Sequence, residues 1–203
     1  MNSKERMLCA LDGGKPDRLP VSVHQWQQFH LDHYMDGMSR VEAFQHTGLD
    51  AQVQYFGEVG QTQEQDEPPA LITPEWRVDI DRQWQTDEGV FTDYTVHTPE
   101  GDLSYKTGTN EKTTWTTEFL IKQDEDVDLI RKYMPVPELN LEEVSKLYDE
   151  VGDAGIVRGF VWGGQAGCWQ HACCLMPNDQ LILACFDKPD WVHELLETLL
   201  EKK

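Results

Sequence analysis

Between Pro74 and about Ile121 the apolar residues recur at every second position. Val78 and Ile80 alternate with Arg77, Asp79 and Asp81; Val90, Thr92, Tyr94 and Val96 follow; then Leu103, Tyr105 and Thr107; then Trp115, Thr117, Phe119 and Ile121. Successive side chains of a strand point to opposite faces, so this period predicts a half-buried antiparallel meander over 74–121. Pro99-Glu100-Gly101-Asp102 supplies its hairpin turn. A stretch of this kind pairs with its own neighbours in sequence, and whatever flanks it must form a layer that covers its apolar side.

The flanks have a different rhythm. Ser3 followed by Met7, Leu8 and Leu11 on one face, with Gly13-Gly14 and Pro16 beyond, predicts a short helix capped by the serine. Arg18-Leu19-Pro20-Val21-Ser22-Val23 reads as a strand that delivers His24, Gln25, Trp26 and Gln27 at its far end. Ser39 to Phe44 predicts a helix stopped by Gly48, and Ala51 to Phe56 a second strand. Strand, helix and strand within about 35 residues is the spacing of a βαβ unit. After the meander, helices are expected near 124–134 and 140–152, each acidic at its start as the helix dipole prefers. Gly155 to Trp162 then reads as a third buried strand opening into Gly163-Gly164-Gln165. Helices are expected over 178–186 and 188–203, the second with Pro189 in its first turn and an apolar stripe of Trp191, Val192, Leu195, Leu196, Leu199 and Leu200.

Charge narrows the partners. The 203 residues carry 37 acidic and 17 basic side chains, a net charge of −20, and 24 of the acidic but only 8 of the basic ones lie in residues 58–153. Such a balance repels phosphate, which argues against nucleic acid and against acidic membrane surfaces. No stretch approaches the ~18 uncharged apolar residues of a membrane span. The start, MNSKERMLCALDGG, is charged where a signal peptide would be apolar, so a cytoplasmic location is expected. Five cysteines, with Cys173 and Cys174 adjacent, read as reduced thiols rather than a disulfide framework.

The opening run from Glu5 to Val21, with Lys15-Pro16-Asp17-Arg18 as its turn and Pro20-Val21 after it, resembles the start of the uroporphyrinogen decarboxylase superfamily. Thr98-Pro99-Glu100-Gly101 is similar to that family's hairpin and Gly159-Phe160 to the start of its third barrel strand. Phe186-Asp187-Lys188-Pro189-Asp190-Trp191-Val192-His193-Glu194-Leu195-Leu196 is similar to its Asp-x-Pro-x-x-Val-His-x-Leu-Leu helix. The resemblance implies a (β/α)8 TIM barrel with its site at the carboxyl ends of the strands. Three βα units and a meander use up the 203 residues, so the expectation is a single domain over 1–203 that is an incomplete, amino-terminal part of such a barrel, with 74–121 inserted in it.

Two chemistries compete within the superfamily. The decarboxylases carry Arg-Gln-Ala-Gly-Arg after the first strand, whose arginines hold the carboxylates of a tetrapyrrole. Here Val23 to His30 contains no arginine. The resemblance therefore points first to the methyltransferase branch, which moves a methyl group between a corrinoid protein and a thiol or similar acceptor. The alternatives are uroporphyrinogen decarboxylation in haem biosynthesis and a non-catalytic binding or assembly module. The methyltransferase resemblance also implies zinc and a corrinoid partner, the zinc ligands lying in the carboxyl-terminal half of the barrel. His171-Ala172-Cys173 repeats the His-x-Cys spacing, with Cys168 and Cys174 nearby, but in the loop after the third strand, so no metal ligand is assigned. A complementary barrel half or a second copy of the chain is the expected macromolecular partner.

Residues at strand ends are the site candidates. His24 and Tyr55 are the catalytic ones, with a structural histidine and an aromatic at the barrel rim as their alternatives. Gln25, Trp26, Trp162, Gln165 and His171 are expected to bind substrate. His30, His33 and His46 fall in helical segments and read as surface groups, and His193 as structural.

Overall fold

The computed structural model describes residues 1–55, 73–136, 140–159 and 167–203. It is a mixed α/β protein whose chain divides into two compact units, one of Met1–Gly57 with Leu139–Phe160 and one of Glu58–Glu138 with Val161–Lys203.

The first unit begins with α1, Ser3–Leu11. Its cap is Asn2, one residue before the expected serine. The Asn2 side chain accepts from the Glu5 N–H at 2.8 Å while the Glu5 carboxylate accepts from the Asn2 N–H at 3.0 Å, satisfying two amides that the helix leaves open. Next come α2 (Gln28–Tyr34) and α3 (Arg40–Thr47), the latter capped in the same reciprocal way by Ser39 and Glu42 and ended by Gly48 at φ 69°. Strand β1 (Ala51–Gln54) follows directly. The chain returns to this unit with a helix over Leu141–Val151, capped by Asn140, and a strand over Gly155–Arg158 that pairs in parallel with β1, Ala51 opposite Gly155 and Gln54 opposite Arg158. Val41, Phe44, Ala51, Val53 and Val151 form the core between them.

The segment 18–23 runs beside β1 but is not a strand. Pro20 has no N–H to give to a ladder, and side chains take the ladder's place. The Asp50 carboxylate accepts from the Val21 N–H at 2.9 Å, the Asp50 N–H donates to the Val21 carbonyl at 2.8 Å, and the Gln52 amide donates to the carbonyls of Val23 and His24 at 2.7 and 3.0 Å.

Asp50 is wholly buried and is also the centre of an ion network. Arg6 reaches it at 2.6 Å and Arg18 at 2.9 Å, while Arg6 also binds Asp17 at 2.7 Å. This is what the Lys-Pro-Asp-Arg turn does here: it fastens α1 to the start of β1. The Arg6 hydrogen bond holds the Asp17 carboxyl well below the usual carboxylate range. For Asp50, burial alone would push the carboxyl up, but bonds from Val21, Ser3 and Arg6 and the charge of Arg18 lower it.

The second unit contains the meander. Strands β2 (Arg77–Thr86), β3 (Gly89–Thr98), β4 (Gly101–Thr109) and β5 (Thr114–Glu118) pair antiparallel in sequence order. The hairpin at 99–100 lies where the alternation places it, and a register shift between Ile80 and Arg82 kinks β2. On one face the Trp115 indole lies flat on Gly108, where a Cβ would stand 2.5 Å from the ring. On the other, Val96 and Leu103 pack into the core with residues of four helices: α4 (Asp126–Tyr133), and beyond the first unit's α5 (Leu141–Val151) and β6 (Gly155–Arg158), α6 (Cys168–Leu175), α7 (Asn178–Asp187) and α8 (Pro189–Glu201).

Val127, Ile130, Leu181, Leu195 and Leu199 are the centre of that core. Full burial of each such side chain contributes about 1.5–3 kcal/mol. Helix α8 keeps Val192, Leu195 and Leu199 inside as its stripe predicts, whereas Leu200 is 63% exposed. Arg131 binds α8 through Thr198 at 3.0 Å and Glu194 at 2.6 Å, and Tyr133 donates to Glu100 at 2.8 Å, which pins the hairpin turn to α4.

The described residues thus hold one two-stranded parallel sheet and one four-stranded antiparallel sheet, with no closed barrel among them. No helix of the described residues is long and apolar enough to cross a membrane.

Candidate functional site

In α/β folds ligands collect at the carboxyl ends of parallel strands, because helix amino-termini and loops converge there while backbone pairing stops. In the first unit those ends are Gln54 and Arg158. The Arg158 guanidinium bonds the Gln54 side-chain oxygen, and its Nη2 also donates to His24 Nδ1 at a long 3.5 Å. The backbone of His24 is held there by the Gln52 amide, so a loop residue is positioned by a strand residue. His24 is exposed and Arg158 half-buried.

Tyr55, the residue after β1, donates its N–H to the Arg158 carbonyl at 3.0 Å. Its hydroxyl is engaged with the backbone of Asn140, donating to the carbonyl at 3.4 Å and accepting from the N–H at 3.3 Å. It joins the end of β1 to the cap of α5. Arg40, from the first turn of α3, donates to the Gln54 carbonyl at 3.5 Å. Two cations therefore stand at this end of the sheet.

Of the residues expected to bind substrate, Gln25 is exposed. Trp26 turns its ring inward, edge to face with Phe44 at 5.9 Å, and its buried indole N–H has no acceptor among the described residues. Trp162 and Gln165 lie outside the described residues. His171 belongs to the second unit, buried at 4% exposure in α6, where burial and then the Lys203 charge push its imidazole down to about 4. What reads as a loop after the third strand is this helix. The stretch Cys168-Trp169-Gln170-His171-Ala172-Cys173-Cys174-Leu175 has no cap and no strong polar face, so its helicity comes from packing Ala172 and His171 into the core.

The resemblance implies zinc. His171 is inside and Cys174 exposed, Cys173 bonds Asn178, and no three His, Cys, Asp or Glu among the described residues are grouped to hold a metal ion.

Arg158 is the site residue that the sequence reading passes over. The signal was present: an arginine closes the short apolar run Gly155-Ile156-Val157. Its register opposite Gln54 and its reach to His24 depend on pairing between segments a hundred residues apart.

Chemically the arrangement offers a guanidinium with donors to spare, an imidazole beside it and a side-chain amide. Together they suit an oxygen or sulfur that carries or develops negative charge. Comparison with protein-family models, with curated proteins and with solved structures returns no match.

Proposed function

We propose that the chain is part of a uroporphyrinogen decarboxylase-like enzyme of the methyltransferase branch, the described parallel pair being one segment of its (β/α)8 barrel. Its substrate is a corrinoid-bound methyl group and a thiol or similar acceptor. The observation that carries this reading is the meeting of His24, Gln54 and Arg158 at the carboxyl ends of β1 and β6. In this role Arg158, with the His24 ring beside it, steadies the sulfur of the acceptor as it gains thiolate character, and Gln54 keeps the guanidinium in place. The neighbouring turn, Lys15 to Arg18, serves architecture through Asp17 and Asp50.

One observation favours a second reading, decarboxylation of a carboxylated tetrapyrrole. Segment 23–30 lacks arginine, yet Arg158 and Arg40 bring two fixed cations to the same end of the sheet. The protein isolated from its own cells, with whatever polypeptide accompanies it, distinguishes the two. Incubated with methylcobalamin and a small thiol, it is expected to demethylate the corrinoid, followed by its visible spectrum, and to leave uroporphyrinogen unchanged. Formation of coproporphyrinogen without demethylation would establish the second reading in place of the first.

A further inference from the structure

The second unit holds a cavity of about 490 Å³ between the start of the meander and the carboxyl-terminal ends of α4 and α8. Thr73 and Glu75 line one side, Lys132 and Tyr133 a second, Met134 and Val136 an apolar third, and Lys202 stands at its rim; the hollow is open to solvent. Its charged groups are not equivalent. Lys132 and Tyr133 both bind Glu100, so their polar ends are already satisfied. Glu75 and Lys202 make no side-chain hydrogen bond or ion pair among the described residues.

Lys202 is half-buried, and its surroundings disfavour the ammonium; burial lowers its pKa, against the opposing charge of Glu201 next to it. A desolvated cation with no bonded anion is a cost that the fold bears and that a bound anion would offset. Glu75, on the turn after Thr73, is exposed and equally without a cation. The Thr73 hydroxyl accepts from the Trp76 N–H at 3.1 Å and keeps its own proton to donate.

We propose that this cavity binds a small zwitterion with an apolar side chain, of the free amino-acid class. Its carboxylate lies on Lys202, its ammonium on Glu75, and its side chain against Met134 and Val136. A simple anion would leave Glu75 facing it with like charge, and a simple cation would leave Lys202 uncompensated. A ligand bearing both charges pairs with both groups, and the volume exceeds what an amino acid of leucine's size requires, leaving room for water. The cavity lies wholly within the second unit and is independent of the His24 and Arg158 site.

The full chain titrated with L-leucine by NMR or calorimetry tests this. Saturable binding is expected, at a dissociation constant on the order of 1 mM for so small a ligand. 4-Methylpentanoate, which lacks the ammonium, and 3-methylbutylamine, which lacks the carboxylate, are each expected to bind about tenfold or more weakly, the loss of one charge-assisted contact. Lys202→Met and Glu75→Gln are expected to weaken leucine to the same degree with the far-UV spectrum unchanged, both residues lying at the rim. Equal binding of leucine and 4-methylpentanoate, indifference to either substitution, or no binding at about 50 mM, well above the expected constant, would overturn the proposal.

Discussion

Asp50 is the residue on which the first unit depends most. It is wholly buried, it receives two arginines and an amide, and it substitutes for the ladder that Pro20 cannot join. Asp50→Ala leaves the buried Arg6 with Asp17 as its one carboxylate and the Val21 N–H without its acceptor, and is expected to cost about 3–5 kcal/mol in unfolding free energy by denaturant titration. Arg18→Ala, whose partner keeps Arg6 and whose own head is half in water, is expected to cost far less. His171 gives a separate, pH-dependent signature. Its imidazole titrates at about 4 in the fold against 6.5 when free, so the unfolded chain takes up the proton first. Stability from this group is complete above pH 6.5 and is lost as pH falls toward 4, by about 3 kcal/mol in all. The depressed Asp17 and Asp50 act in the same direction but only below the ordinary carboxylate range. His171→Leu is therefore expected to flatten the loss between pH 6.5 and 4 and leave the acid limb in place, as thermal unfolding across that range would show.

At the scale of elements, two glycines mark close approaches, one of backbone to backbone and one of an indole to backbone. A Cβ on Gly155 would stand 1.8 Å from the Ala51 carbonyl oxygen, so Gly155→Ala cannot keep the β1 and β6 pairing without moving backbone. That shift carries Arg158 away from His24; the expected result is a loss of about 2 kcal/mol or more together with weakened site function. Gly108→Ala drives Trp115 off the sheet and is expected to raise Trp fluorescence exposure to quenchers while sparing the first unit. The elements were unequally legible in the sequence. The meander, its hairpin at 99–100 and the stripe of α8 follow from strong local periods that the core then uses. Segment 18–23 has a strand's composition, but a proline and a side-chain ladder decide its conformation. Helix α6 has no local signal, for its formation rests on tertiary packing. At the candidate site, Tyr55 follows β1 as its strand period places it, whereas His24 was read at the end of a strand that segment 18–23 does not form; its position, the inward turn of Trp26 and the arrival of Arg158 required knowing which segments pair.

For the whole molecule, the net charge of −20 predicts that salt stabilises the fold. Screening the excess acid weakens self-repulsion more than it weakens the exposed ion pairs. The melting temperature should therefore rise between about 20 mM and about 500 mM sodium chloride, over which the Debye length shrinks several-fold; a fall would mean that the ion pairs dominate. The central claim is that His24 and Arg158 act together on substrate at the carboxyl ends of β1 and β6. Its most direct test is methyl-transfer kinetics of the isolated protein carrying Arg158→Met or His24→Gln, read beside the melting temperature. The account predicts a fall in kcat/KM of about 100-fold for each, with no further loss when the two are combined, and an unchanged melting temperature. Unchanged kinetics, or a melting temperature that falls in step with activity, would contradict it.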